Sequence, residues 1–192
     1  MKRFLSIPAV LAVGVLLCGA TTDHLPPEVA SDVKKMADFC RENNGKPRPS
    51  GIYEPFEGRS KFHPRKLVEH GFLAGSGSEV WAIDAGRYRC DPAAGLFSGS
   101  GGSQVAIFVR LNNGRVEKKF THGAYGLSVT RSGPNTVFWL RVGGPMCGQE
   151  GEHSHGDSIL CDRPIAWNEA TENMDFAPIA EARFPFELNT HR

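Results

Sequence analysis

The clearest periodic signal in the chain is helical. From Pro26 to Arg41 the apolar residues Val29, Val33, Met36, Phe39 and Cys40 recur at steps of three and four, with Glu28, Asp32, Lys34, Lys35, Asp38 and Arg41 on the other side. This predicts one amphipathic helix whose stripe faces a core. Pro26 and Pro27 suit its start, and Asn43, Asn44 and Gly45 tolerate the left-handed backbone that ends a helix. From Lys46 to Pro64 four prolines and two glycines exclude a helix or a central strand, so the segment reads as an ordered surface loop pinned by Tyr53, Phe56 and Phe62.

Beyond that loop the pattern changes period. Glu79 to Asp84, Gln104 to Leu111, Arg115 to Phe120, Leu127 to Arg131 and Thr136 to Val142 are rich in β-branched and aromatic residues and are bounded by Gly, Asn, Ser or Pro. They predict strands. Asn113 and Gly114 supply a tight hairpin turn between the second and third, and SGPN serves the same purpose between the fourth and fifth. Short connections imply antiparallel neighbours, hence a meander. A closing hairpin pairs Ile165 to Asn168 with Met174 to Phe176, and the tail around Phe184 and Phe186 adds an edge strand. The expected fold class is α+β, mainly β: an N-terminal amphipathic helix packed on an antiparallel meander and held by disulfides.

The first twenty residues change the picture of compartment. Lys2 and Arg3 precede a largely apolar run from Phe4 to Leu17 and the small residues Gly19 and Ala20. The run is shorter than the roughly 20 residues of a bilayer span, so it reads as a signal peptide cleaved after Ala20, leaving a single globular domain over 21–192. Acylation at Cys18 is the competing reading; the bulky Leu17 before it argues against a lipoprotein. The mature chain has no transmembrane segment in this reading. Removal of residues 1–20 takes away two cations and no acid, turning a formal charge of +1 into −1. No basic excess points to nucleic acid.

Four cysteines then remain, Cys40, Cys90, Cys147 and Cys161, an even number in a chain bound for the periplasm or the exterior, where disulfides form. Of the three pairings, Cys147 with Cys161 is favoured by closeness in sequence, which leaves Cys40 with Cys90 and staples the helix to a distant segment. Full pairing leaves no thiol for nucleophilic catalysis.

Candidate chemistry is sparse. In GQEGEHSHGDSILC, an extended backbone would put His153, His155 and Asp157 on one face, with alternate Cα atoms about 7 Å apart, a set that could meet zinc or copper. Gly148, Gly151 and Gly156 loosen this segment and no fourth ligand is evident, so a solvated loop closed by a disulfide is the first reading. FSGSGGSQ, from Phe97 to Gln104, lacks the lysine and the following helix of a phosphate loop; its glycines turn the chain into a strand, or form a small anion nest. Ser98 or Ser100 with His70 or His122 and Asp84 or Asp91 supplies hydrolase residue types without a nucleophile elbow, and Asp84 suits a hydrogen-bonding role at the turn Ala85–Gly86. Glu54 and Glu57 lie in the proline-rich loop and carry no stronger case as a glycosidase pair. Adjacent Phe138 and Trp139 must face opposite ways, one into the core and the other under the helix or into a surface groove; Tyr88, between Arg87 and Arg89, reads as a half-buried strand end or a contact surface.

The stretch GFLAGSGSEVWAIDAGRYRC, the turn FSGSGG, the closing RPIAWNEATENMDFAP and the helix end at Phe39 and Cys40 together resemble a group of uncharacterised exported bacterial proteins. In that group an aspartate-rich, calcium-loop-like turn akin to the integrin-type repeat precedes a strand. The resemblance covers most of the mature chain and implies an exported β domain with no activity to carry over. Here residues 73–79 lack the aspartates, and Glu79 alone cannot supply the roughly six to eight oxygen ligands of calcium. The sequence therefore points first to a non-catalytic binding or envelope-associated module, periplasmic or secreted, without a cofactor, whose partner is an envelope protein or a small ligand. A zinc- or copper-binding protein using His153 and His155 comes second, and a small hydrolase third.

Overall fold

The computed structural model describes residues 25–47, 66–93, 95–151 and 155–185. The predicted signal peptide, most of the proline-rich loop and Phe186 lie outside them. The helix α1 spans Pro27–Glu42, with Pro27 in its first turn, Glu28 near its N-terminus and Arg41 in its last turn, where they favour the helix dipole. It stops where the sequence predicts. The Asn43 side-chain amide donates to the Phe39 carbonyl at 2.9 Å, Asn44 takes φ 59°, and Gly45 N–H reaches the Cys40 carbonyl at 2.8 Å. Packing requires Gly45: a Cβ there would sit 2.2 Å from the sulfur of Cys90.

Strands β1 (Lys46–Pro47), β2 (Val68–Phe72), β3 (Glu79–Asp84), β4 (Cys90–Asp91), β5 (Ser98–Gly99), β6 (Gly102–Arg110), β7 (Val116–Ala124), β8 (Gly126–Ser132), β9 (Asn135–Gly143), β10 (Leu160–Asn168) and β11 (Asn173–Phe176) follow. β1 pairs with β4, and the other nine form one sheet, antiparallel except for a single parallel bridge between Phe72 and Asn135. Successive strands are neighbours through β6–β7 and again through β8–β9–β10–β11. Between the two runs the meander turns a corner. Ala124 pairs with Ser103 of β6 while Gly126 already pairs with Arg141 of β9, so Tyr125 alone carries the chain from one layer to the other. No helix among the described residues is long and apolar enough to cross a membrane.

The continuous apolar runs of β3 and β6 have a simple cause: both strands are covered on both faces. Val80, Ala82, Val105, Ile107 and Val109 face the β8–β11 layer and pack with Phe138 and Leu140. Trp81, Ile83, Ala106 and Phe108 face the helix and pack with Val29 and Cys40. The order of layers is therefore helix, sheet, sheet. β2, which has no clear alternation, was not predicted; it extends the middle layer beside β3.

Polar staples join the two sheet layers. Arg87 donates to the Leu127 carbonyl of β8, to the Lys66 carbonyl at 2.8 Å and to Glu69 at 3.0 Å, and Glu69 also pairs with Arg131 of β8 at 3.2 Å. Arg163 of β10 has no carboxylate partner among the described residues. It donates to the carbonyls of Met146 and Ala177 and lies over the Phe176 ring at 5.0 Å. At the seam where β7 approaches β11, Phe120 and His122 both meet Phe176 edge-on, with centroids 5.4 and 4.9 Å away.

Both favoured disulfides are present, each with Cα atoms 5.8 Å apart. They close loops of 50 and 14 residues, so replacing Cys40 and Cys90 together by Ala should cost about 4 kcal/mol, and Cys147 with Cys161 about 3 kcal/mol. Urea denaturation of the two double variants measures both, and the reverse order would contradict a loop-closure origin. A second prediction concerns the seam. Burial pushes the His122 imidazole below its ordinary value of 6.5, so the unfolded chain takes up a proton that the folded chain refuses. The stability this ring contributes is complete above pH 6.5 and is lost as pH falls through the lower, folded value. His122→Phe keeps an aromatic ring at the seam and should gain on the parent as pH drops toward about 5, as read from denaturation curves at several pH values.

Candidate binding groove between the helix and the sheet

The helix does not lie flat on the sheet, because the residues beneath it taper. On β3 the side chains facing α1 shrink from Trp81 to Ile83, and Ala85 follows; on β6 they run from Phe108 to Ala106 to Gln104. Trp81 pairs with Phe108 and Ile83 with Ala106, so both strands lose bulk toward the same end. A rigid helix over a falling floor leaves a cleft. Its volume is about 350 Å³, within the range of small-molecule sites, and its helical wall is Asp32, Lys35, Met36 and Phe39, one face of α1.

Two clamps hold that wall in place. The Cys40–Cys90 disulfide ties the last turn of α1 to β4. Nearer the N-terminus, Lys118 of β7 pairs with Asp32, which also takes Lys35 at 3.0 Å. Burial pushes the Asp32 carboxyl up, but hydrogen bonds and attraction from Lys118 and Lys35 outweigh it and hold the group below its ordinary value of 3.8. The Lys118 ammonium also lies 5.3 Å from the centre of the Phe108 ring.

The far wall comes from the glycine-rich hairpin. Phe97 meets Phe39 edge-on at 5.8 Å and Tyr88 at 5.1 Å. Past Phe97 and Gln104 the cleft opens onto Gly99, Gly101, Gly102 and Gly123, a stretch of side-chain-free backbone. Gly102 is fixed by packing, since it has φ 92° and a Cβ there would lie 2.2 Å from the Ala124 carbonyl oxygen. The strand β6 follows these glycines, as the sequence implies, so they open a strand and do not precede a helix. Phe39 is 46% exposed, an aromatic ring at the edge of a cleft that mixes Met36, Ile83, Ala106 and Phe97 with Asp32, Lys35, Gln104 and Lys118.

The sites suggested by sequence fall elsewhere. His153 lies outside the described residues, as does the side chain of His155. His155–Asp157 forms a 3-10 turn, so the extended geometry that would align His155 with Asp157 does not hold there. Gln149 closes this loop, donating to the Asp157 carbonyl at 3.0 Å and accepting from Ile159 N–H at 2.8 Å, above the Cys147–Cys161 disulfide. Among the described residues no group of three or more His, Cys, Asp and Glu side chains is arranged to hold a metal. Residues 73–78 close on themselves: Gly77 N–H reaches the Leu73 carbonyl at 3.0 Å, Leu73 N–H the Ser78 carbonyl at 2.9 Å, and Ser78 N–H the Ser76 hydroxyl at 3.2 Å.

Asp84 has the local role expected of it. Its Oδ1 accepts from Gly86 N–H at 3.1 Å and from the Ser103 hydroxyl at 2.9 Å, and its Oδ2 lies 3.0 Å from Arg87 Nε. His122 is on the same row of the sheet, but Val105 stands between them, which puts two strand spacings, about 10 Å, between acid and base. His70 stacks on Trp81 and sits 3.6 Å from Glu79. Glu54 and Glu57 lie outside the described residues. Tyr88 is buried against Phe97, so it serves packing and not a contact surface. Trp139 lies neither under the helix nor in a groove: Arg183 covers it at 3.5 Å, and its indole donates to Thr130 at 2.9 Å. No protein-family model, curated protein or solved structure matches the chain.

Asp32→Asn removes the anion that two lysines share and should lower stability by about 1 kcal/mol at neutral pH, given the partial exposure of Lys118. The sign with pH follows from the depressed carboxyl. The advantage of the parent is full above pH 3.8 and disappears as pH falls through the folded value, so parent and variant should converge in acid. Thermal unfolding of both proteins between neutral pH and about pH 2 checks this, and a constant gap would contradict it.

Proposed function

We propose that this chain is an exported, non-catalytic binding domain that takes a small ligand in the groove between α1 and the middle sheet. The observation that carries the reading is the clamped cleft itself. It has an apolar floor and a few converging polar groups, and a disulfide and a buried-edge ion pair fix its walls before any ligand arrives, which removes part of the ordering cost of binding. Export is supported by the cationic, apolar and small-residue pattern of residues 1–20 and by the pairing of the four remaining cysteines, which suits an oxidising compartment. The resemblance to exported β domains agrees with it.

The protein recovered from the producing cell should begin at Thr21 by mass spectrometry. It should bind an uncharged polarity-sensitive naphthalene dye at one saturable site, and Phe39→Ser, at an exposed position, should weaken that binding about tenfold while leaving the melting temperature near that of the parent. An intact leader, or dye binding that ignores the Phe39 change, would contradict the reading.

A further inference from the structure

The charges around the groove do not balance, and this imbalance identifies a ligand class. The groove is lined by one carboxylate, Asp32, and two ammonium groups, Lys35 and Lys118, both of which point to that carboxylate. The neighbouring charges are committed elsewhere. On the helix, Asp38 takes Lys34 at 2.6 Å and Arg41 at 2.7 Å; on β7, Glu117 takes Lys119 at 2.9 Å and Arg115 at 3.1 Å. Among the described residues the lining therefore carries one positive charge in excess, at the mouth of a cleft whose helical wall includes Met36 and Phe39, whose floor is Ile83 and Ala106 and whose far wall is Phe97.

Resting on the groove reading above, we infer that the ligand is a free amphiphile bearing a single negative charge, a medium-chain carboxylate, with its head between Lys35 and Lys118 and its chain over Phe39 and Phe97. A monoanion completes the charge set by joining Asp32 in sharing the two ammonium groups. A cationic head meets an excess of like charge, and a neutral head leaves the excess as it is. The apolar part replaces water over Phe39, which is 46% exposed without it. A volume of about 350 Å³ suits a single-chain amphiphile better than a two-chain lipid.

Calorimetric titration of the mature protein with decanoate, decanol and decyltrimethylammonium, each below its micellar concentration, tests the inference, together with flotation on vesicles of phosphatidylglycerol. Decanoate should bind at one site about tenfold more tightly than decanol, the gain of a charge-assisted contact, and the cationic amphiphile should bind more weakly than decanol. Lys118→Gln, which also releases the Asp32 clamp, should abolish the preference for decanoate, read as the ratio of decanoate to decanol affinity within that one variant. Lys35→Gln, at a side chain 73% exposed, should do the same in part and keeps the test available should Lys118→Gln fold poorly. Equal affinity for decanoate and decanol would overturn the anionic ligand while leaving the groove in place. Binding of none of the three would overturn both readings. Flotation with vesicles in the absence of decanoate binding, or a decanoate preference that survives both lysine changes, would overturn the inference alone.

Discussion

The rest of the structure depends on the attachment of one helix to one sheet. A helix of 16 residues is marginal on its own in water, and α1 turns only two residues, Val29 and Cys40, fully into the core. Its position is set by the bond from Cys40 to Cys90 at one end and by the contact of Asp32 with Lys118 further back. Gly45 makes the first of these feasible, because any side chain there would collide with the Cys90 sulfur. Held at both places, the helix cannot sink as the side chains beneath it shrink from Trp81 and Phe108 to Ala85 and Gln104, and the cleft persists.

Much of this scaffold is legible in the sequence, because local rules govern it. The helix start and stop follow from Pro27 and from Asn43 to Gly45, and β3 has the predicted bounds, since Val80 to Ile83 is an uninterrupted run of buriable residues. The hairpins at Asn113–Gly114 and after Asn168 also depend on nearby turn residues: the Asn113 side chain accepts from Arg115 N–H, and that of Asn168 from Ala170 N–H. What escaped is non-local. β2 breaks alternation with His70 and Gly71 and is recognisable as a strand only beside β3. The corner at Tyr125 is a single residue with no turn chemistry of its own, and it is set by pairing with β6 on one side and β9 on the other.

The groove was invisible for a related reason. Its walls come from residues 32 to 39, 83 to 85, 97 to 106 and 118, and none of these segments carries a motif. Asp32 and Lys35 read as ordinary solvated residues on a helix, and Lys118 as one of several cations on a strand. The available signal was the parallel loss of bulk along two strands, and it acquires meaning only once Trp81 is known to pair with Phe108. The eye-catching residues, by contrast, serve the frame. Asp84 anchors a turn, His122 fills a seam and the loop around Gln149 is closed by its own hydrogen bonds and a disulfide.

Amide hydrogen exchange tests the central claim most directly, comparing the oxidised protein with a Cys40→Ser, Cys90→Ser variant under native conditions. If the disulfide is what holds α1 over the tapering floor, the amides of Met36 to Cys40 should be protected in the parent and should lose that protection in the variant, while those of β6 keep theirs. Equal protection of α1 in both proteins, or loss that spreads to β6, would contradict the account.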